Sequence, residues 1–178
     1  MKQGLLIIDV QRDYFSGGKK PLERPEEALA VIKLLEEKFK KENLPIVYVQ
    51  HIKPDRNADF FALGSEGAEL HPELSVEDSS IIIEKQFPNS FFQTNLLEKL
   101  KEIQVEQLII TGMMTHMCVD STTRTAKELG FQPIVIADST ATCELSLGNE
   151  KVAAEQVQIS FLSALQNFSE VMNSQEFL

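Results

Sequence analysis

The chain reads as an α/β protein: a three-layer α/β/α sandwich around a doubly wound, mostly parallel six-stranded sheet. Two observations predict this. Short, continuous apolar runs of strand length recur along the sequence, as expected of strands buried on both faces. Between them, apolar residues repeat at helical spacing with Lys and Glu on the opposite side, so strand and helix alternate.

The first run, Leu5-Leu6-Ile7-Ile8, ends in Asp9, and the next is Ile46-Val47-Tyr48-Val49. Between them Ala28, Ile32, Leu35 and Phe39 mark one helical face, and Pro45 ends the connection, giving a β-α-β unit. Ile81-Ile82-Ile83 follows as a strand, then a helix opened by a capping-box pair, Asn95 and Glu98, with Leu96, Leu100 and Ile103 on one face. Leu108-Ile109-Ile110 precedes a helix from about Met117 to Leu129, stopped by Gly130 at C′. Ile134-Val135-Ile136-Ala137 is the fifth strand. A helix near Asn149 to Asn167 leads to a short final strand around Phe168–Met172. Pro54 to Ser79 is an irregular excursion of the kind that builds pockets.

At 178 residues the chain is read as one domain over 1–178, able to bury roughly 70 % of its unfolded surface. No apolar stretch of about 18 residues is present to span a membrane. The opening residues lack a signal peptide's apolar region, so the expected location is cytoplasmic. A net charge of −10 argues against nucleic acid or an anionic membrane as partner, since both demand a basic footprint. Cys118 and Cys143 are too few for a disulfide framework and fit no zinc spacing. G-x-G-x-x-G follows none of the strands, and no cofactor is implied.

Ligands of open α/β sheets sit at the carboxyl ends of the strands. Asp9 ends the first strand, Lys85 ends the third and Cys118 lies just past the fourth, so a carboxylate, an ammonium and a thiol are expected to converge. Singly, each has a plain structural explanation: a turn cap, a solvated charge, a small buried hydrophobe. Together they make a nucleophile. The sequence places Cys118 on the first turn of a helix, whose free N–H groups and dipole would pull the thiol down from ~8.5. Asp9 could accept its proton, and Lys85 would keep that carboxylate ionised.

Four blocks now resemble a known family: Leu6-Ile7-Ile8-Asp9-Val10-Gln11 with Asp13-Tyr14-Phe15; Lys85-Gln86-Phe87-Pro88-Asn89-Ser90-Phe91 with Thr94 and Leu97; Gly112-Met113-Met114-Thr115-His116-Met117-Cys118-Val119; and Ala137-Asp138-Ser139. In this order they resemble the isochorismatase-like cysteine hydrolases, which include nicotinamidases, N-carbamoylsarcosine amidases, ureidoacrylate amidases and streptothricin hydrolases. The resemblance implies a catalytic triad of Asp9, Lys85 and Cys118. It further implies an oxyanion hole from the Met114 and Cys118 N–H groups, and a cis Met113–Met114 peptide. A small-molecule substrate would meet Phe15, Gln86, Met113 and Thr115, with Tyr14, Phe60, Phe61 and Phe87 as further aromatic candidates. A homodimer or homotetramer is implied too.

Nicotinamidases hold a metal through a carboxylate and several histidines after the second strand. Here Gln50 stands where the aspartate is expected, and only His51 and the distant His71 remain, so no metal site is expected. His51 reads as a pocket-edge or structural residue, and His116 as a packing or hydrogen-bonding one. Isochorismatases proper cleave a vinyl ether without a cysteine at this position, so Cys118 points to an amide or carbamoyl carbon–nitrogen bond, cleaved through a thioester. Two alternatives stand beside it: a thiol-redox protein cycling Cys118 with Cys143, and a non-catalytic scaffold of the same fold.

Overall fold

The computed structural model describes residues 1–178. Six parallel strands form the central sheet: β1 (Gln3–Ile8), β2 (Ile46–His51), β3 (Ile81–Lys85), β4 (Gln107–Met113), β5 (Gln132–Ala141) and, last in the chain, β8 (Glu170–Met172). Their order is β3-β2-β1-β4-β5-β8. The chain builds outward from β1 to the edge strand β3, then crosses back to place β4 on the other side of β1. The order therefore reverses between β1 and β4, where a doubly wound sheet opens its crevice.

Helices α1 (Pro25–Lys41) and α5 (Ser174–Phe177) cover one face, and α2 (Leu96–Glu102), α3 (Asp120–Glu128) and α4 (Ala154–Leu165) the other. Pro25 opens α1 at its first position, where a missing N–H costs nothing. Its buried stripe of Ala28, Leu29, Ile32, Leu35 and Phe39 then packs on Leu5, Ile7 and Tyr48. On the opposite face Leu96, Leu100, Ala126 and Leu165 meet Leu6, Ile8, Val49 and Ile110. No helix is long and apolar enough to cross a membrane.

Three local expectations are corrected. Asn95 makes no capping hydrogen bond; the Thr94 hydroxyl instead accepts from Leu96 N–H at 3.3 Å. Residues 149–152 are not helical. They belong to an antiparallel hairpin, β6 (Leu145–Leu147) and β7 (Glu150–Val152), turned by Gly148 and Asn149, and α4 starts only at Ala154. Cys118 does not sit on the first turn of an α-helix either: Thr115–Val119 is a wide π-helical turn, and α3 follows it from Asp120.

Three features mark this region. Gly112 has φ +114°, and a Cβ there would lie 2.0 Å from the Ile8 carbonyl oxygen, so only glycine lets β4 approach β1 at this level. The β4–β5 register slips at the same point, between Ile110 and Gly112. The Met113–Met114 peptide is cis.

Candidate active site

Asp9 leaves β1 with φ +51°, a conformation aspartate tolerates better than most residues, and its side chain is completely buried. Lys85, at the last position of β3, buries its entire side chain as well. Its Nζ donates to Asp9 Oδ2 at 2.7 Å and to Cys118 Sγ at 3.3 Å, with His51 Nδ1 2.9 Å away. The three residues expected to converge therefore do so, around one ammonium.

The electrostatics differ from the expectation for Cys118. Burial raises the thiol, the Asp9 carboxylate raises it further, and Lys85 offsets only part of this, so the thiol is held well above its ordinary value. The π-turn does not deliver the acidic thiol of a helix N-terminus. For Asp9, burial pushes upward, but the positive charge of Lys85 leads the opposing influences and the carboxyl is held below its usual value. The resting site is thus an ionised Asp9 beside a neutral Cys118 thiol.

The nucleophile turn is braced from two sides. Met117 and Val119 N–H both donate back to the Met114 carbonyl, at 3.0 and 3.3 Å, while the Met114 N–H has no acceptor within the protein. Thr115 Oγ1 donates to Gln158 Oε1 of α4 at 2.7 Å, and Gln158 Nε2 donates to Thr140 Oγ1 at 2.7 Å. His116 pairs through Nδ1 with Thr142 Oγ1 at 2.6 Å and meets Phe161 edge-on. Burial, and then the charge of Lys20, lowers His116 below its ordinary value, so it stays neutral. On the β3 side, Asn89 Nδ2 donates to Thr125 Oγ1 and Ser90 N–H to Thr122 Oγ1, both at 3.0 Å, latching the loop after Lys85 onto α3.

The proposed substrate contacts are scattered. Met113 is fully buried in the core, and the Thr115 hydroxyl is spent on Gln158. Phe15 meets His71 at a tilt, with ring centroids 4.2 Å apart, and lines a cavity of about 250 Å³ with Leu29 and Lys33, which the triad does not line. Gln86 lines a second cavity of about 380 Å³ with Lys85, Phe87 and Phe92. Tyr14, Phe60 and Phe61 form one aromatic cluster, whose Phe61 ring lies 5.9 Å from that of His51. Arg124 forks onto Asp120 and lies over the Phe168 ring, so it is a helix-surface charge.

Sequence reasoning put His51 no closer than the pocket edge and gave Gln11 no place in the site; the structure sets His51 Nδ1 2.9 Å from Lys85 Nζ. His51 ends β2, the strand between those of Asp9 and Lys85, and the strand-end rule that found its neighbours would have found it too. Gln11 is fully buried and holds the His51 backbone from both sides. Donor atoms of Asp9, His51 and Cys118 all lie within 4.8 Å of one another, a set that would suit a thiophilic divalent ion. Lys85 Nζ, however, already stands 2.7–3.3 Å from all three and would repel a second cation.

Both cysteines are free, and Cys143 is partly exposed, its Sγ 3.9 Å from Met114 Sδ. Residues 3–176 match the isochorismatase domain family model. The chain belongs to the isochorismatase family. Across its full length this isochorismatase-family chain is 39 % identical to the uncharacterized family protein YddQ of Bacillus subtilis, 99 % of which is covered. It is 28 % identical to nicotinamidase 3 of Arabidopsis thaliana, over 78 % of this chain and 72 % of that one. It is also 28 % identical to streptothricin hydrolase of Streptomyces noursei, over 80 % of this chain and 51 % of that protein. Among solved structures, one from Oleispira antarctica, provisionally described as an isochorismatase hydrolase, superposes with TM-score 0.95 at 38 % identity, covering 99 % of this chain and 95 % of that one. This isochorismatase-family protein is therefore a hydrolase whose relatives include amidases.

Proposed function

We propose that the protein hydrolyses the carbon–nitrogen bond of a small amide or carbamoyl compound, with Cys118 as nucleophile, Asp9 as base and then acid, and Lys85 as the cation between them. The observation that carries this reading is the sealed contact of one ammonium with both the Asp9 carboxylate and the Cys118 sulfur, at 2.7 and 3.3 Å. A surface ion pair does nothing of this kind; here all three groups are removed from water.

Because the resting thiol is neutral, attack is coupled to proton transfer. Cys118 Sγ bonds to the carbonyl carbon as its proton passes to Asp9, and the carbonyl electron pair moves onto oxygen. The Met114 N–H, which has no acceptor within the protein, would hold this oxyanion together with that of Cys118, a contribution typically worth ~10²–10³ in rate. Collapse expels the nitrogen, which takes the proton from Asp9 and leaves as ammonia or an amine. Asp9, ionised again, draws a proton from water, whose oxygen attacks the thioester; the acid departs and the proton returns to sulfur. Lys85 keeps Asp9 ionised at the start of each half-reaction.

Ammonia release from a panel of small primary amides and N-carbamoyl compounds tests the reading. At least one class should be turned over by the wild type, with activity falling ~10³-fold or more in Cys118→Ala and Asp9→Asn. An intact-mass adduct confined to Cys118 should accumulate with slow substrates. Turnover that survives Cys118→Ala would remove the cysteine from the mechanism.

A further inference from the structure

An ammonium has three N–H bonds and no acceptor, and Lys85 faces three acceptors: Asp9 Oδ2, Cys118 Sγ and His51 Nδ1, the last at 2.9 Å. The hydrolytic cycle uses the first two and leaves the third without a task. Contact with an ammonium requires a lone pair on Nδ1, which fixes the imidazole as its neutral Nε2–H form. The backbone that carries the ring is held firmly. Gln11 Oε1 accepts from the His51 N–H and Gln11 Nε2 donates to the His51 carbonyl, each at 2.8 Å, while a further donation to the Ala68 carbonyl at 2.7 Å anchors Gln11 itself.

Strand register explains why an acceptor is needed at this place. Lys85 starts on the edge strand β3, whereas Asp9 follows β1, so β2 lies between them. Two inter-strand spacings of ~4.8 Å must be crossed, and the residue directly opposite Lys85 on β2 is His51. The lysine can reach the carboxylate only by passing that ring. A neutral acceptor there takes one proton without competing for charge; a carboxylate in the same position would draw the ammonium away from sulfur.

We propose that His51 is a positioning residue for Lys85: as a neutral Nδ1 acceptor on a backbone clamped by Gln11, it holds the ammonium shared between Asp9 and Cys118. The inference rests on the reading of these three residues as the catalytic group. Without the acceptor, the ammonium is free to swing onto Asp9 alone, and the sulfur loses its nearest positive charge.

The unmutated protein gives the first test. Imidazole ¹⁵N spectra should show His51 Nδ1 unprotonated and Nε2 protonated near neutral pH; a protonated Nδ1 overturns the proposal, whatever the variants do. The second is the pH profile of Cys118 alkylation by iodoacetamide. His51→Leu should slow labelling ~10-fold at a given pH, moving the profile about one pH unit to the alkaline side. His51→Asn, whose Oδ1 takes the place of Nδ1, should restore most of it. If His51→Leu superimposes on the wild type while Lys85→Ala shifts the profile, His51 has no positioning role and the catalytic reading stands. If Lys85→Ala and Asp9→Asn leave the profile in place as well, both fall together.

Discussion

A carboxylate and a thiol that share one ammonium cannot both be strongly acidic. Burial and the Asp9 charge hold the Cys118 proton on sulfur, and only Lys85 works the other way. Asp9→Asn should therefore separate two properties usually assumed to travel together. With the negative charge gone, Lys85 is free to stabilise the thiolate, so iodoacetamide labelling of Cys118 near pH 7 should become faster than in the wild type, while hydrolysis disappears for want of a base. Lys85→Ala should do the opposite to labelling, slowing it, because both remaining influences raise the thiol. Peptide mapping after brief alkylation reads both variants; slower labelling in Asp9→Asn would contradict the electrostatic account. Cys143, the other free cysteine and partly exposed, is the internal reference in each digest.

At the scale of elements, the site depends on how closely β4 runs beside β1. Gly112 permits that approach, and Gly112→Ala would drive a methyl into the Ile8 carbonyl at a backbone angle that alanine resists. The variant should lose more than ~1 kcal/mol in thermal or urea melts, with activity falling further than stability because Asp9 directly follows Ile8. What the sequence disclosed about these elements follows the strength of each signal. Strands β1, β2, β4 and β5 read as unbroken apolar runs because both faces of the sheet are covered there, and β3 keeps its run at the edge although Ile82 is exposed. The hairpin at 145–152 escapes a reading that starts a helix near Asn149. Its own signal was present in the Gly148-Asn149 pair between Leu145, Leu147 and Val152, a two-residue turn flanked by alternating apolar residues. Asp9, Lys85 and Cys118 were legible because strand ends are where such residues matter. The acidity of Cys118 was not, since it depends on burial and on a π-turn that no residue pattern distinguishes from an ordinary first helical turn.

Across the whole molecule, the Asp9–Lys85 pair links the chemistry to stability. The folded carboxyl lies below its ordinary value, so its stabilising effect is present above the unfolded value of about 3.9 and drains away as pH falls through the folded one. Glu36 behaves oppositely: burial raises it despite hydrogen bonds from Tyr48 and Ser75, so its contribution is present at acid pH and lost as pH rises through its folded value. Melts of Asp9→Asn should show a cost of about 3–5 kcal/mol near pH 7, where Lys85 is left as a buried unpaired charge, shrinking below about pH 4. An unchanged gap between wild type and variant across that range would mean that the pair is not what couples this site to acid. The place of Lys85 on the outermost strand has one more consequence. β3 is hydrogen-bonded along only one side, and edge elements open before the interior of a sheet. Fraying of that border would withdraw the ammonium while β1 and β4 remain intact, so in rising denaturant the protein should fall catalytically silent before its circular dichroism changes.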